Sequence, residues 1–318
     1  MGERNVLVAG VDVGGTNIQV GLVSGDHEVH ARAKALTPTA GPDAVFDTIA
    51  ELVASLGGDP VAVGVGIPGV VHAGQVLTVP NLVGWGGDVD LVGGLTSRLP
   101  APVTLGNDAN VGLLGEWVAG AARGARDVLG LWMGTGIGGG LVLDGRPYEG
   151  ARGSAGEIGH VLVQPDGALC GCGRRGCVEA YAGRRSMGSS VAAMVEAGWK
   201  TDLFDIQDEE EKTGLTSKVW ARALAEDDEL AQRMLASAVQ HLGVAVGSVV
   251  NLLDVELVVV GGGMPEKLGQ DLADRIEAAA RPWMLRPSPD LRFVVSSLED
   301  DAGVVGAAAL ARSAVIAG

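Results

Sequence analysis

A strand, a glycine-rich turn and a second strand occur twice in this sequence, at residues 6–23 and 127–144. In the first copy an apolar run ends at Asp12, and the turn contains Gly14-Gly15-Thr16. In the second copy the turn is Gly134–Gly140. Short apolar runs broken by glycine are typical of buried strands joined by tight turns. The repeat predicts a chain built from two duplicated halves that face each other.

Between and after these copies, apolar segments of strand length and helix length alternate along the chain. Alternation of this kind predicts an α/β architecture. The polar and acidic segment 201–227 predicts surface helices or a mobile connection. The predicted strands are 29–36, 61–67, 103–106 and 255–260, and the predicted helices are 42–56, 107–121, 228–253 and 301–317.

The chain is strongly acidic: it has 23 Lys and Arg and 39 Asp and Glu, which gives a net charge of −16. This charge disfavours a nucleic acid or an anionic membrane as partner. No signal peptide and no uninterrupted apolar run of membrane-spanning length is present, so a cytoplasmic location is predicted. At 318 residues, of which 47% are hydrophobic, the chain is long enough for two medium domains.

The glycine turns lack the motifs of the common nucleotide folds. No Walker A sequence G-x-x-x-x-G-K-S/T occurs. Residues 134–139 match G-x-G-x-x-G, but a short strand follows where a dinucleotide-binding fold needs a helix. Each turn taken alone is more typical of a plain tight hairpin than of a phosphate site. Asp12 adds a carboxylate that could hold Mg²⁺ beside phosphates, and the turns contain no Lys or Arg to meet phosphate charge.

All three cysteines of the chain, Cys170, Cys172 and Cys177, lie shortly after His160. One imidazole and three thiolates are the ligand set of a closed structural zinc site. Disulfides would leave one cysteine over, and Cys-x-Cys is a poor pair geometrically. A nucleophilic cysteine has no evident role here, and iron–sulfur ligation is the second alternative. The sequence therefore predicts a zinc knuckle.

Three acidic residues are further candidates for a functional site: Asp108 at a predicted strand–helix junction, and Glu157 and Glu179 on either side of the cysteines. Asp108 follows a predicted strand and precedes an apolar helix, where either it or Asn107 could simply cap that helix. A carboxylate at such a junction also suits the deprotonation of a substrate hydroxyl. Glu157 and Glu179 flank the cysteines, and their ordinary role would be that of solvated surface charges.

These motifs together resemble a known family. Three stretches resemble the phosphate and adenosine motifs of actin-like sugar kinases: Asp12-Val-Gly-Gly-Thr-Asn17, Gly134–Gly140 and Gly261–Gly263. Three others narrow the resemblance to the ROK family (repressors, open reading frames, kinases): Asn107-Asp108, Glu157-Ile-Gly-His160 and Cys170-x-Cys-x4-Cys177. Within that family the chain most resembles bacterial, especially actinobacterial, glucokinases, and the resemblance runs in order over essentially the whole chain.

The resemblance implies a fold and a set of site residues. The fold is the two-domain actin-like, ribonuclease H-like α/β fold with a central cleft. A smaller domain would comprise 1–118 and 302–318, and a larger one, 119–301, would carry the zinc knuckle and most of the nucleotide site. Asp108 is the implied general base. The implied sugar-binding residues are Gly69, Asn81, Asn107, Asp108, Glu157, His160 and Glu179; the implied ATP-binding residues are Asp12, Gly14, Gly15, Thr16, Asn17, Gly134, Thr135, Gly136, Gly138, Gly262 and Gly263.

The implied activity is ATP-dependent phosphorylation of glucose to glucose 6-phosphate, with Mg²⁺ and structural Zn²⁺ as cofactors, in a homodimer or homotetramer. The chain departs from the usual glucokinase sequence at 131–133 and at 84–94. Because the second departure follows the sugar-side loop 81–85, other substrates stay open, among them mannose, fructose, N-acetylmannosamine, N-acetylglucosamine and kanosamine. Polyphosphate as donor is disfavoured, because the relatives that use it generally lack the cysteines. A sugar-sensing repressor is disfavoured too, because Asp12 lies too near the N-terminus for a preceding DNA-binding domain.

Overall fold

The computed structural model describes residues 6–72, 74–78, 82, 85 and 89–317; the predicted sugar residue Asn81 lies outside them. The strands are β1 Val8–Val13, β2 Asn17–Val23, β3 Val29–Leu36, β4 Val63–Ile67, β5 Val70–His72, β6 Gln75–Thr78, β7 Val103–Asn107, β8 Val128–Met133, β9 Ile137–Leu143, β10 Arg146–Pro147, β11 Leu257–Gly261 and β12 Arg292–Val295. The helices are α1 Pro42–Ser55, α2 Leu91–Thr96, α3 Asp108–Ala119, α4 Glu179–Ala182, α5 Arg184–Glu196, α6 Leu203–Glu209, α7 Ser217–Ala225, α8 Glu229–Leu253, α9 Gly263–Leu268, α10 Gln270–Ala280 and α11 Ala302–Ala317.

The chain divides into two compact units. Unit 1 comprises Met1–Arg126, Gly140–Gly156 and Ser297–Gly318, and unit 2 comprises Asp127–Gly139 and Glu157–Ser296. Residues 119–126, 140–156 and 297–301 thus group with unit 1, although they fall within the predicted larger domain 119–301.

Unit 1 is organised around a five-stranded sheet with the order β3-β2-β1-β4-β7. The first predicted repeat is the antiparallel pair β1–β2, in which Asp12 lies opposite Gln19. Beyond it, β1, β4 and β7 are parallel neighbours. The three parallel strands therefore end at one edge of the sheet, and the residues that follow them are brought together there.

Helix α11 packs directly on this sheet because glycine removes the side chains in between. A Cβ on Gly10 of β1 would fall on the carbonyl oxygen of Val304, and one on Gly64 of β4 would fall on that of Ala307. The predicted Ala-rich C-terminal helix is thereby confirmed, and it packs within unit 1. Any larger residue at these two glycines would push helix and sheet apart.

Unit 2 contains β8, β11 and β12, which pair in parallel within a second five-stranded sheet of order β10-β9-β8-β11-β12. The second predicted repeat corresponds to β8 and β9. Its turn is shorter than predicted, because the backbone N–H of Gly134 bonds to the carbonyl of Gly136 at 3.0 Å and β9 already begins at Ile137. The prediction that the turn continues to Gly140 is therefore wrong.

The helices of unit 2 begin and end at recognisable signals. The long predicted helix is α8, and the side chain of Asp228 caps it by accepting from the Ala231 N–H at 2.7 Å. Among the described helices only α8 is long and apolar enough to span a membrane, but half of its apolar window is buried, as in a core helix. The acidic segment 201–227 forms α6 and α7, so the prediction of surface helices there is correct.

Candidate active site

The carboxyl edge of the parallel strands in unit 1 gathers several predicted site residues. Asp12 lies near the end of β1, Gly69 follows β4, and Asn107 with Asp108 forms the junction of β7 and α3. In α/β sheets ligands bind outside the carboxyl ends of parallel strands. This edge of unit 1 is therefore the expected position for a reacting group.

The junction of β7 and α3 fixes the predicted base. Asn107 caps α3, since its side-chain oxygen accepts from the Asn110 N–H at 3.0 Å. Its amide nitrogen donates to the Gly69 carbonyl at 3.0 Å and to Asp108 Oδ1 at 3.1 Å. Asp108 Oδ1 also accepts from the Ala109 N–H at 2.9 Å. Capping is thus performed by Asn107, and the Asp108 carboxylate is held in one orientation at the start of the helix.

Asp12 is a carboxylate that lacks a sufficient counter-charge. Its pKa is raised to about 7 because it is desolvated and because Asp108 and Asp300 repel its charge, while Lys34 opposes the shift. Two or three carboxylates around a desolvated position are what a divalent cation stabilises. The oxygen ligands present at Asp12 therefore fit Mg²⁺.

The predicted phosphate turn of unit 1 is held from the adjoining strand. Thr37, just after β3, donates its hydroxyl to the Gly14 carbonyl at 2.6 Å and its backbone N–H to the Thr16 carbonyl at 2.9 Å. The Gly14 N–H closes the turn on the Asn17 carbonyl at 2.9 Å. These hydrogen bonds fix the turn. Gly15 and Thr16 at its tip are exposed and are therefore accessible to a ligand.

The two glycine turns of unit 2 also meet at one sheet edge, since β8 and β11 are parallel neighbours. Gly262, which follows β11, has a φ of 91°, and a Cβ there would lie 2.7 Å from the Met133 carbonyl at the end of β8. The predicted ATP residues Gly134–Gly136 and Gly262–Gly263 are therefore brought together, while Gly138 lies within β9.

Glu179 joins the cysteine segment to the first of these turns. One carboxylate oxygen accepts from the Ile137 N–H at 2.9 Å, and the other accepts from the Cys170 thiol at 3.7 Å. A Cβ on Gly136 would fall on the same carboxylate. Glu179 is thus held by hydrogen bonds within the protein and is not a solvated surface charge.

Four predicted metal ligands converge in unit 2. The ligand atoms of His160, Cys170, Cys172 and Cys177 all lie within 4.8 Å of one another. The Sγ atoms of Cys172 and Cys177 are 3.7 Å apart, and His160 Nδ1 is 3.8 Å from Cys170 Sγ. Zinc–sulfur bonds of about 2.3 Å in a tetrahedron place the sulfurs about 3.8 Å apart. The donor set and its spacing therefore fit one tetrahedral Zn²⁺.

The thiols of this cluster differ in acidity. Burial raises the pKa of the Cys170 thiol to about 12 and also raises that of Cys177. Burial opposes the ionisation of Cys172 too, but hydrogen bonds from the backbone and side chain of Arg174 lower its pKa to about 6. A cation would have to stabilise the other two thiolates, as zinc does.

Glu157 lies beside a cluster ligand, because its backbone carbonyl accepts from the His160 N–H at 3.0 Å. Partial desolvation and repulsion by Glu179 raise the pKa of Glu157, while His160 opposes the shift, although much of the Glu157 surface is exposed. Because His160 faces Cys170 through Nδ1, its Nε2 is available for another partner.

Residues that support the cluster are not marked by any motif in the sequence. The Tyr181 hydroxyl accepts from the Ala168 N–H at 2.7 Å, and its ring stacks on His241 with centroids 3.9 Å apart. Arg184, which donates to the hydroxyl of Thr135 in the glycine turn, is likewise unmarked. These partners are far apart in sequence, so no local signal marks them.

Comparison with known proteins extends these observations to the whole chain. The sequence model of the ROK family matches residues 8–314. The glucokinase of Streptomyces coelicolor is 32% identical over 315 residues, which cover 96% of this chain and 98% of that protein. The glucokinase of Thermotoga maritima is 33% identical over 317 residues, with coverage of 96% and 97%. A solved ROK family glucokinase from Streptomyces griseus, in complex with glucose and AMPPNP, is 32% identical with a TM-score of 0.85, and covers 96% of this chain and 99% of its own.

Proposed function

The chain belongs to the ROK family, and we propose that it phosphorylates glucose with ATP, yielding glucose 6-phosphate and ADP. Its fold is the two-domain actin-like α/β fold of the sugar kinases. The observation that carries the proposal is the nearly full-length similarity, in both directions, to a kinase solved with glucose and an ATP analogue. The oriented Asp108 carboxylate gives this chain the group that such a reaction needs.

Asp108 is the proposed general base. It takes the proton of the glucose 6-hydroxyl as that oxygen attacks the γ-phosphorus, and the bond between this phosphorus and the bridging oxygen breaks to release ADP. Hydrogen bonds from Asn107 and from the Ala109 N–H fix the carboxylate before substrate binds. Positioning of this kind is the main protein contribution in phosphoryl transfer.

Asp12 is the proposed holder of Mg²⁺, which would neutralise charge on the phosphates of ATP. The support is the carboxylate's raised pKa, which arises from desolvation and from neighbouring acids. The exposed tip of the adjacent turn, at Gly15 and Thr16, offers backbone N–H groups to the same phosphates. The glycine turns Gly134–Gly136 and Gly262–Gly263 are also proposed to bind ATP through their backbone N–H groups.

Sugar hydroxyls are assigned to Gly69, Asn81, Asn107, Glu157, His160 and Glu179. Zinc is assigned to His160 and the three cysteines, where the donor set supports it. With zinc on Nδ1, the Nε2–H of His160 is fixed as a donor for a hydroxyl. Zinc would then shape the sugar site without taking part in the chemistry.

A homodimer or homotetramer and a cytoplasmic location are further proposals. The acidic net charge of −16 supports neither a nucleic acid nor an anionic membrane as partner. Sedimentation of the purified protein would decide the oligomeric state.

The proposal is tested by a coupled kinase assay that detects ADP or sugar phosphate. The sugars are glucose, mannose, fructose, N-acetylmannosamine, N-acetylglucosamine and kanosamine, each with ATP or polyphosphate as donor. We expect the highest kcat/KM for glucose with ATP. A higher kcat/KM for another sugar, or for polyphosphate, would contradict the proposal.

A further inference from the structure

Helix α5 starts on the glycine turn of unit 2. The backbone N–H of Arg184, its first residue, donates to the Gly134 carbonyl at 3.2 Å, and that of Arg185 donates to the Thr135 carbonyl at 3.0 Å. The turn between β8 and β9 is therefore tied to the start of a 13-residue helix. Arg184 is consequently fixed at the turn that we assign to ATP.

The Arg184 side chain lies among the segments assigned to the nucleotide. One terminal nitrogen donates to the Ser217 hydroxyl at 2.9 Å, and the other donates to the Thr135 hydroxyl at 3.2 Å. A Cβ on Gly263 would lie 3.9 Å from the first nitrogen and 2.7 Å from the Ser217 hydroxyl. The guanidinium thus reaches from the turn after β8 to the turn after β11.

No carboxylate of the described residues pairs with this guanidinium. In the part of the chain that the structure describes, Arg184 forms no ion pair, whereas Arg32, Arg98 and Arg281 all pair with carboxylates. Desolvation is the one cause that shifts its pKa, which is lowered. A partly buried cation held only by two neutral hydroxyls costs free energy. In a chain with 39 acidic residues, such a position indicates an anion that comes from outside the protein.

We propose that the Arg184 guanidinium binds the phosphate chain of ATP at the turn Gly134–Gly136. This assignment rests on the proposed function, which takes ATP as the phosphoryl donor. Guanidinium presents five N–H groups in a planar fork that matches phosphate oxygens, and two of them are used by Ser217 and Thr135. Arg184 therefore supplies the cation that the glycine turns themselves lack.

The competing interpretation is a structural clamp, in which Arg184 only joins Thr135 to Ser217. A clamp and a phosphate-binding residue differ in two measurable ways. Loss of a clamp lowers the melting temperature of the free protein and weakens every nucleotide equally. Loss of a phosphate-binding cation weakens only ligands that carry phosphate, and it leaves the melting temperature unchanged or higher.

The experiment is calorimetric titration of Mg²⁺·ADP and of adenosine into the full chain and into Arg184→Gln. We expect Arg184→Gln to weaken ADP binding about 10- to 100-fold, the usual effect of losing a charge-assisted hydrogen bond. Adenosine and glucose affinities should stay within about twofold, as expected for ligands that carry no phosphate. Arg184→Lys, which keeps the charge and loses the fork, should lie between wild type and Arg184→Gln.

Arg275→Gln is the charge-matched control, because Arg275 of α10 is partly exposed and its ion pair to Asp271 is long at 3.9 Å. It should bind ADP like wild type. Equal ADP affinity in wild type and Arg184→Gln, or equal losses for ADP and adenosine, would overturn the assignment alone. A wild-type protein that binds no ADP and has no kinase activity would overturn the proposed function together with it.

Discussion

The Glu179 carboxylate accepts a hydrogen bond from the backbone N–H of Ile137 at 2.9 Å, and this bond fixes the residue at which the glycine turn ends and β9 begins. The same carboxylate faces the Cys170 thiol at 3.7 Å. A disturbance of the cysteine cluster therefore reaches a turn assigned to ATP through one side chain.

Glu179→Gln should lower kcat/KM for both glucose and ATP. The amide keeps an oxygen for the Ile137 N–H but loses the charge, so we expect kcat/KM for glucose to fall about 10- to 100-fold. Steady-state kinetics with each substrate varied in turn measure this effect. Glu196→Gln, an exposed glutamate at the end of α5, is the matched control. A decrease of less than about threefold, far smaller than the loss of a charge-assisted hydrogen bond causes, would contradict the assignment of Glu179 to the site.

Asp108→Asn should strongly lower turnover while sugar still binds. A general base contributes about 10²- to 10⁴-fold, so kcat should decrease by about that factor. Glucose affinity by calorimetry should change by no more than about fivefold, since an amide preserves the shape of the side chain. Asp271→Asn, at an exposed position on α10, should behave like wild type. Turnover near that of wild type would refute the role of Asp108.

Asp12→Asn should stabilise the Mg²⁺-free protein above neutral pH. The pKa of Asp12 is about 7 in the folded chain and 3.8 as the ordinary value, so the folded state prefers the neutral acid. Stability from this group is complete below pH 3.8 and is lost as pH rises through 7. The difference in free energy of unfolding should therefore grow over this window to at most about 4 kcal/mol.

Urea unfolding of wild type and Asp12→Asn at several pH values measures that difference. Adding Mg²⁺ at pH 8 should stabilise wild type more than the variant, because the variant lacks the Asp12 carboxylate while Asp108 and Asp300 remain. A difference that does not vary with pH would show that Asp12 does not titrate near neutrality.

One zinc ion per chain should be found by elemental analysis. Cys172→Ala should remove it, lower the melting temperature and weaken glucose binding, because His160 and Glu179 both contact this cluster. Gly171→Ala is the control, since a Cβ at this neighbouring position meets no atom within 4 Å. Full activity in a metal-free preparation would contradict a structural role for zinc.

Local patterns in the sequence were sufficient for most of the elements. Asp228 at the start of α8, Pro42 at the start of α1 and the alternation of apolar runs are signals that lie within a few residues. The cysteine cluster was predictable for the same reason, since its four ligands fall between His160 and Cys177. Signals that lie close together in the sequence were therefore enough to predict both the α/β class and the metal ligands.

What the sequence did not reveal depends on partners distant in the chain. Residues 137–140 suggested a turn, yet pairing within the sheet and the carboxylate of Glu179 make Ile137 the start of a strand. Trp132 lies in a stretch that departs from the usual glucokinase sequence. In the structure its ring covers Gly261 of the adjoining strand, with ring atoms 3.3 Å from where a Cβ would be, so packing accounts for it.

Arg184 shows the same limit more clearly. At the start of a helix, next to a second arginine, it has the pattern of a solvated surface charge. Its partners Thr135 and Ser217 lie 49 and 33 residues away, and only the folded chain brings them together.

The close fit of α11 on Gly10 and Gly64 has a consequence for biosynthesis. The ribosome makes α11 about 290 residues after β1, which at ordinary elongation rates is a delay of roughly 15–60 s. During that time the sheet of unit 1 lacks the helix that covers it, and its apolar face is open to chaperones or to aggregation. Unit 1, although translated first, therefore completes its folding only after the whole of unit 2 has been synthesised.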